Sequence, residues 1–148
     1  MERMSSEALE LWQRWLRFHR RMLDRLDHDL RATRLLSLEQ YDVLFQLSQA
    51  DGPLRMGELA ASTLIAPSSC TRIVGSLVSA GLVARASDPD DRRAVRVALT
   101  AAGRGAQQRA ATVHLRGLAE AFAGRLDDAA LTALARVLDQ LEAGDPTA

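Results

Sequence analysis

The sequence predicts a mainly α-helical fold with one small β-hairpin and long helices at both ends. Three observations carry this prediction. Apolar residues recur at helical spacing along most of the 148 residues, one short stretch alternates with period two, and helix-capping residues stand at the segment boundaries. The length is that of one domain, so we expect a single domain over residues 1–148.

Residues 6–32 are expected to form one long amphipathic helix. The residues on its main stripe are Trp12, Trp15, Leu16, His19, Met22, Leu23, Leu26 and Leu30. Ser37 and Gln40 form a capping-box pair, which predicts a second helix that ends near Asp51. The inward face of this second helix is expected to carry Tyr41, Leu44, Phe45 and Leu47.

The middle of the chain is divided into short elements. Residues 53–56 allow no more than a token strand, and residues 57–64 predict a short helix. Pro67 suits the first turn of a further helix, because its missing N–H has no partner to lose there. That helix is expected to run to about Ala80 and to stop at Gly81.

Two strands and two further helices follow. Residues 82–85 and 94–99 predict a pair of strands joined by a polar tip, and the second of them alternates with period two. Thr100 is expected to cap a long helix over about residues 101–125. Asp127 is expected to cap a last helix over about residues 128–142.

This order is typical of a winged helix-turn-helix, which we place over residues 35–100. The second helix of such a pair fits the major groove of DNA. Its early outward positions here are Ser68, Ser69, Thr71 and Arg72. Arg92 and Arg93 lie at the hairpin tip, the wing, which is slim enough to enter a minor groove.

The charge distribution supports a nucleic-acid surface in the middle of the chain. The net charge of the whole chain is zero. Residues 52–109 nevertheless hold eight arginines against four acidic residues, a net charge of +4, whereas residues 110–148 have a net charge of −3. A local positive surface is what binding to a phosphate backbone requires.

The helices outside this lobe, residues 1–34 and 101–148, are expected to form a homodimer interface. The first helix carries apolar side chains on more than one stripe, and the C-terminal helices are also rich in leucine. A two-fold dimer hides such surface and sets two recognition helices about one DNA turn, roughly 34 Å, apart.

Several other functions are disfavoured by the sequence. It contains no phosphate loop, nucleophile elbow or dinucleotide fingerprint, and its three histidines lack metal-ligand spacing. We therefore expect no enzyme activity, no catalytic residue, no metal and no cofactor. Without a long apolar run, a signal-peptide pattern or a second cysteine, the chain is expected to be cytoplasmic, with no membrane partner.

Residues 91–103 read DRRAVRVALTAAG. This stretch matches the wing signature D-x-R-x-x-x-V-x-L-T-x-x-G at Asp91, Arg93, Val97, Leu99, Thr100 and Gly103. The sequence thereby resembles the MarR family of transcriptional regulators, and the resemblance extends over nearly the whole chain. It implies an obligate homodimer that binds palindromic double-stranded DNA, often as a repressor.

The same resemblance assigns roles to individual residues. Ser68, Ser69, Thr71 and Arg72 would face the major groove, Arg93 would face the minor groove, and Asp91 would brace the wing. One departure is Ala66, which occupies a position where a capping serine is common. The first turn of the recognition helix is therefore expected to be less well capped.

The resemblance also implies a small-molecule effector. Family members often release DNA when an aromatic or phenolic compound enters a crevice beside the dimerisation helices. The candidate lining residues here are Trp15, His19, Tyr41, Phe45 and His114. The same aromatic side chains at helical spacing also fit an ordinary core.

Two alternative functions stay open at this point. The chain could be a redox-sensing regulator that acts through Cys70, although Cys70 is in register with Ile73, Val74 and Leu77, where a small core residue belongs. It could also be a helical protein-interaction module that does not bind DNA. Protection of the thiol from alkylation tests the first alternative, because an unreactive thiol in the folded protein removes it. The salt dependence of binding tests the second, because DNA binding releases condensed counterions and an ordinary protein interface does not.

Overall fold

The computed structural model describes residues 5–88, 91 and 94–144. Its helices are α1 (Ser6–Ala32), α2 (Leu38–Gln49), α3 (Met56–Ser62), α4 (Pro67–Ser79), α5 (Ala101–Ala121) and α6 (Asp128–Ala143). Its strands are β1 (Leu54–Arg55), β2 (Val83–Ser87) and β3 (Val95–Leu99). The predicted fold class, mainly α with a small hairpin, is confirmed.

Helix starts agree with the prediction wherever a capping residue marks them. The hydroxyl of Ser37 accepts a hydrogen bond of 3.1 Å from the N–H of Gln40, and the Gln40 side chain accepts one of 2.9 Å from the N–H of Ser37. Asp127 Oδ1 accepts a bond of 2.8 Å from the N–H of Ala130 at the start of α6. These side chains satisfy N–H groups that have no partner inside the helix, which fixes where each helix begins.

The end of α5 differs from the prediction. The helix stops at Ala121 rather than near residue 125, because Phe122 leaves the helical region with φ −131° and ψ −79°. A 3₁₀ turn over Ala123–Arg125 follows. There the Arg125 guanidinium donates a hydrogen bond of 2.9 Å from Nε to the carbonyl of Glu120, which satisfies one of the last carbonyl groups of the helix.

The sheet has the strand order β1-β3-β2, and both pairings are antiparallel. The short β1 pairs with β3 through Leu54 opposite Val97. Strand β2 pairs with β3 along its whole length, from Val83 opposite Leu99 to Ser87 opposite Val95. The sheet therefore connects the segment before α3 to both strands of the hairpin.

The chain divides into two compact units, residues 1–114 and 115–148. The first unit holds a core made by α1 to α5 and the sheet. Its buried members are Leu30, Leu36, Tyr41, Val43, Leu44, Leu47, Leu59, Cys70, Ile73, Val74, Leu77, Val83, Val97 and Ala110. In the second unit, the α6 side chains Val137, Leu138 and Leu141 are exposed.

Two expected buried faces are partly exposed in the single chain. Phe45, which we expected on the inward face of α2, is 37% exposed, whereas Val43 is fully buried. On α1 only Leu26 and Leu30 are buried, whereas Trp12 and Trp15 are 53% and 41% exposed. The helical period identifies an apolar stripe but does not tell which chain covers it.

Helix α1 is tied to α2 by a side chain. Asp27 Oδ1 accepts a hydrogen bond of 2.8 Å from the N–H of Leu38, the first residue of α2. Asp27 also pairs with Arg31 one turn further along α1. The hydrogen bond from Leu38, with the charge of Arg31, holds the pKa of Asp27 below its ordinary value despite the opposing effect of burial.

Candidate nucleic-acid interface

Helices α3 and α4 form the predicted helix-turn-helix. The inner face of α4 is fully in the core through Cys70, Ile73, Val74 and Leu77. The outer positions of its first two turns are polar: Ser68, Thr71 and Arg72 are exposed, and Ser69 is half-buried. The structure thus brings together, on one side of α4, the residues that the sequence predicted for the major groove.

The turn before α4 is fixed by contacts with α2 and with the core. Asp42 on α2 accepts a hydrogen bond of 3.0 Å at Oδ2 from the N–H of Leu64. The side chain of Ile65 packs against the core. Ala66 is the N-cap residue of α4 and provides no side-chain hydrogen bond, as its sequence departure predicted. The first turn of α4 is therefore positioned by contacts of the turn rather than by a capping side chain.

The other end of α4 is closed by a glycine turn. Gly81 has φ +71°, in the left-handed region that only glycine adopts freely. Its N–H donates to the carbonyl of Val78, and the N–H of Leu82 donates to the carbonyl of Leu77, each at 2.9 Å. This pair of hydrogen bonds is a Schellman motif, so the sequence prediction that α4 stops at Gly81 is confirmed.

Thr100 joins this turn to the start of α5. Its hydroxyl donates a hydrogen bond of 2.7 Å to the carbonyl of Gly81 and accepts one of 3.0 Å from the N–H of Gly103. Gly103 lies so close to Leu82 that an added Cβ would be 2.9 Å from the carbonyl carbon. Two residues of the wing signature, Thr100 and Gly103, therefore fasten the base of the hairpin to α4 and α5.

The hairpin itself is held by a buried acid that the sequence analysis did not single out. Asp88 follows β2 and is only 1% exposed. Its Oδ2 accepts hydrogen bonds of 2.7 Å from the Nε of Arg55 and 2.8 Å from the Nε of Arg96. This bonding raises the pKa of Arg55. Because a buried carboxylate is costly unless it is paired, Asp88 fixes both arginines and the strands that carry them.

The tip of the wing is described only in part. Asp91 is exposed, its N–H faces Asp88 Oδ1 at 3.3 Å, and its carbonyl accepts a hydrogen bond of 2.9 Å from the N–H of Ala94. Its role in bracing the wing stays a prediction. Arg92 and Arg93, the arginines predicted for the minor groove, lie outside the described residues.

Arg72 carries a guanidinium on the expected major-groove face of α4. It is 73% exposed, and its Nη2 lies 4.0 Å from Oε2 of Glu39 on α2. An exposed ion pair at this distance contributes little to stability. The Arg72 side chain is therefore oriented by Glu39 but can leave it at low cost.

The candidate effector residues form two separate ring contacts in the single chain. Trp15 stacks on His19 along α1 with ring centroids 6.5 Å apart. Tyr41 contacts Phe45 at 6.1 Å and His114 at 4.6 Å. Within the described part of the chain, His114 Nδ1 is buried and has no hydrogen-bond partner. Burial lowers the pKa of His114, which keeps its ring neutral.

Cys70 has the surroundings of a core residue. Its side chain is 0% exposed, and burial raises the pKa of its thiol, against a smaller opposite effect of a hydrogen bond with Thr63. Redox-sensing cysteines need an accessible thiolate. The structure therefore supports the packing interpretation of Cys70 and disfavours the redox alternative.

Two classes of site are not found among the residues that the structure describes. No group of three or more histidine, cysteine, aspartate or glutamate side chains there is arranged to hold a metal ion. None of the helices in those ranges combines the length and the apolar character that crossing a membrane demands.

Comparison with known families bears on this lobe directly. The model of the MarR family matches residues 36–94, from the start of α2 to the hairpin tip. Over these residues the lobe is similar to the MarR family. A comparison with curated proteins yields no match.

Solved structures extend the similarity to nearly the whole chain. AbsC, a MarR family transcriptional regulator from Streptomyces coelicolor, is 25% identical with a TM-score of 0.86, over 96% of each chain. A second MarR family regulator from that organism, solved in complex with DNA, is 25% identical with a TM-score of 0.87, over 96% of this chain and 93% of the other. A MarR family regulator from Silicibacter pomeroyi is 27% identical with a TM-score of 0.80, over 96% and 100%. The MarR-family fold thus includes the outer helices.

Proposed function

We propose that this protein is a regulator of the MarR family, a homodimeric transcriptional repressor that binds a palindromic DNA operator. The observation that carries the proposal is the outer face of α4, where Ser68, Thr71 and Arg72 are exposed on a helix whose two ends are both fixed. A preorganised polar helix face is what reading base edges in the major groove requires. The regulator at 25% identity was solved in complex with DNA, which supports DNA binding by this chain.

The polar groups on α4 suit different hydrogen-bonding partners on DNA. The Thr71 hydroxyl donates its proton to the carbonyl of Pro67 at 3.3 Å, so its oxygen is left to accept a hydrogen bond from an adenine or cytosine amino group. Arg72 has five donors and no acceptor, which suits guanine or a phosphate. The assignment of these two residues to base edges is part of the proposal.

The wing would add a minor-groove contact. Asp88 and its two arginines hold β1 and β3 together, and β2 pairs with β3 up to Ser87. This rigid stem would present Arg92 and Arg93 to a narrow A·T-rich groove, where the negative potential is strongest. The wing signature supports this contact for Arg93, and the place of both arginines between the two strands in the sequence supports it for Arg92.

Exposed apolar side chains support the homodimer. In α1 they include Leu9, Leu11, Trp12, Trp15 and Leu16, and in α6 they include Val137, Leu138 and Leu141. Surfaces of this kind on a soluble chain commonly mark an interface. The mass of the purified protein in solution tests this part, and we expect twice the chain mass. A Trp15→Ala variant should shift the equilibrium toward monomer.

DNA binding is tested with fragments of the DNA upstream of the protein's own gene. We expect a retarded complex whose log affinity falls with log salt, with a slope of about −0.9 for each phosphate neutralised. Arg72→Ala should weaken binding by about 5- to 160-fold, corresponding to the roughly 1–3 kcal/mol of one base contact. Arg116→Ala, which removes an exposed arginine from α5, is the matched control and should change affinity little.

The outcomes separate the alternative functions. Binding to no fragment at low salt, with a normal dimer mass, would favour the helical interaction module. Loss of DNA binding upon mild oxidation, reversed by thiol, would restore Cys70 as a sensor. Repression is tested separately, by transcription of a reporter placed behind the bound fragment.

Release by an aromatic or phenolic effector is proposed on the contact between Tyr41 and His114. The unpartnered Nδ1 of His114, whose ring contacts Tyr41, offers one hydrogen bond beside an aromatic side chain, which suits a phenolic hydroxyl. Titration with salicylate as the probe should displace the DNA fragment from the wild type. His114→Phe should bind DNA but lose the response, whereas His28→Phe on α1 should keep both.

A further inference from the structure

Leu64, in the turn between α3 and α4, is 92% exposed, more than any other large apolar side chain described. Its backbone is not free, because its N–H is bonded to Asp42 and the next residue, Ile65, packs on the core. The turn is therefore built so that Leu64 points away from the protein while its main chain stays fixed. Because a leucine in this position buries almost no apolar surface, it does not stabilise the fold of the single chain.

The position of Leu64 in the chain limits what it can reach. It stands three residues before Pro67, so it lies at most about 11 Å along the chain from the first residue of α4. In a helix-turn-helix the N-terminal part of the second helix enters the major groove. Ala66 and Pro67, which are also exposed, continue the apolar surface from Leu64 to the first turn of α4.

Only one group on the base edges of the major groove suits such a side chain. Each base pair shows hydrogen-bond donors and acceptors there, and thymine alone adds an apolar group, its C5-methyl. The hydroxyls of Ser68 and Thr71 and the guanidinium of Arg72 can serve the polar groups. The exposed leucine complements the methyl group.

We propose that Leu64 is a specificity-determining residue that contacts a thymine C5-methyl group in each half of the operator. This inference rests on the proposed function, because it takes α4 to be the major-groove helix. It adds a requirement for thymine at one symmetric pair of operator positions. The source of that requirement is a methyl group rather than a hydrogen bond.

The test deletes the methyl group from the DNA and the side chain from the protein. In the footprinted operator, each symmetric pair of thymines is replaced in turn by deoxyuridine, which lacks only the C5-methyl. For the wild type we expect one pair at which affinity falls about fourfold for each methyl removed. For Leu64→Ala the affinity should already be reduced, and replacement at that same pair should have no further effect.

Two controls keep the test independent of folding. Leu64→Met retains an apolar contact and should retain sensitivity to deoxyuridine at the same pair. Because Leu64 is almost fully exposed, Leu64→Ala should keep the helical content and an unfolding midpoint within about 2 °C of the wild type.

Two results would overturn the inference while leaving the proposed function intact. In the first, each deoxyuridine pair lowers the affinity of the wild type and of Leu64→Ala by the same factor. Any methyl contact would then belong to another residue. The other is Leu64→Ala binding as tightly as the wild type, which would leave the exposed leucine for a protein partner. If the wild type binds none of the fragments, the proposed function and this inference both fail.

Discussion

Asp88 joins the hairpin to the strand before the helix-turn-helix, because its Oδ2 lies 2.7 Å from the Nε of Arg55, a residue 33 positions earlier in the chain. The same oxygen accepts from Arg96 on β3. One fully buried carboxylate thus sets the wing relative to α3. The position of β3 relative to β1 is therefore supported by this contact.

Asp88→Asn should therefore destabilise the fold and weaken DNA binding. The amide keeps the shape but removes the negative charge that compensates two guanidinium groups. Since both arginines are partly exposed, we expect a loss of about 2–3 kcal/mol in the free energy of unfolding, below the full cost of breaking a buried pair. Urea denaturation measures it. Asp91→Asn, at an exposed acid three residues away, is the control and should cost less.

Gly103→Ala tests the close contact between α5 and the turn after α4. The added Cβ would overlap with the carbonyl of Leu82, and backbone cannot move aside as a side chain can. We expect a loss of about 2–3 kcal/mol in the free energy of unfolding. Gly105→Ala in the same helix would meet only the end of the Arg109 side chain, so it should stabilise by about 0.5–1 kcal/mol. Equal effects of the two substitutions would contradict the packing described for Gly103.

The thiol of Cys70 should be protected in the native protein. Its burial and raised pKa leave little thiolate at neutral pH, and the side chain is inaccessible. Iodoacetamide is expected to modify it only as fast as the chain unfolds, with a large acceleration in denaturant. Mass spectrometry measures the rate of modification. Rapid modification under native conditions would contradict the placement of Cys70 in the core.

His114 should make stability depend on pH near neutrality. Burial lowers its pKa below the ordinary 6.5, with only a smaller opposing effect from Asp42. Between the ordinary and the lowered value, the unfolded chain binds more protons than the folded one. His114 should therefore not reduce the free energy of unfolding above pH 6.5. Below pH 6.5 the free energy of unfolding should decrease as the pH falls. The measurement is urea denaturation between pH 5 and 7.5.

A His114→Gln variant provides the comparison for this titration. It removes the ionisable ring and should flatten the curve over the same pH range. Asp27, whose pKa is lowered from 3.8, titrates below this range and should leave it unaffected. A wild-type curve that is already flat between pH 5 and 7.5 would show that the His114 ring is not desolvated in solution.

The sequence predicted the elements well where local chemistry sets them. Ser37 with Gln40, Asp127 and Gly81 act within a few residues of their own position, so their hydrogen bonds can be read from spacing. It also predicted that the early polar residues of α4 lie on one outward face, since the helical period puts Cys70 and Ile73 on the other.

The parts that the sequence did not predict depend on distant partners. Asp88 stands in a polar turn, where an acid is normally solvated, and its partner Arg55 is far away in the sequence. Trp15 and Phe45 belong to apolar stripes, but periodicity does not state whether the same chain covers them. The predicted α5 is too long, because Phe122 leaves the helical region although no glycine or proline directly precedes it.

The bonds among Gly81, Thr100 and Gly103 close the base of the hairpin into a frame that holds the end of α4 against the start of α5. We consequently expect changes in chain length within this segment to be tolerated best between Asp88 and Ala94. Related sequences should accept insertions or deletions there without rotating the recognition helix. On the proposed function, the length of the wing should therefore be able to change without altering the contacts of α4 with the major groove.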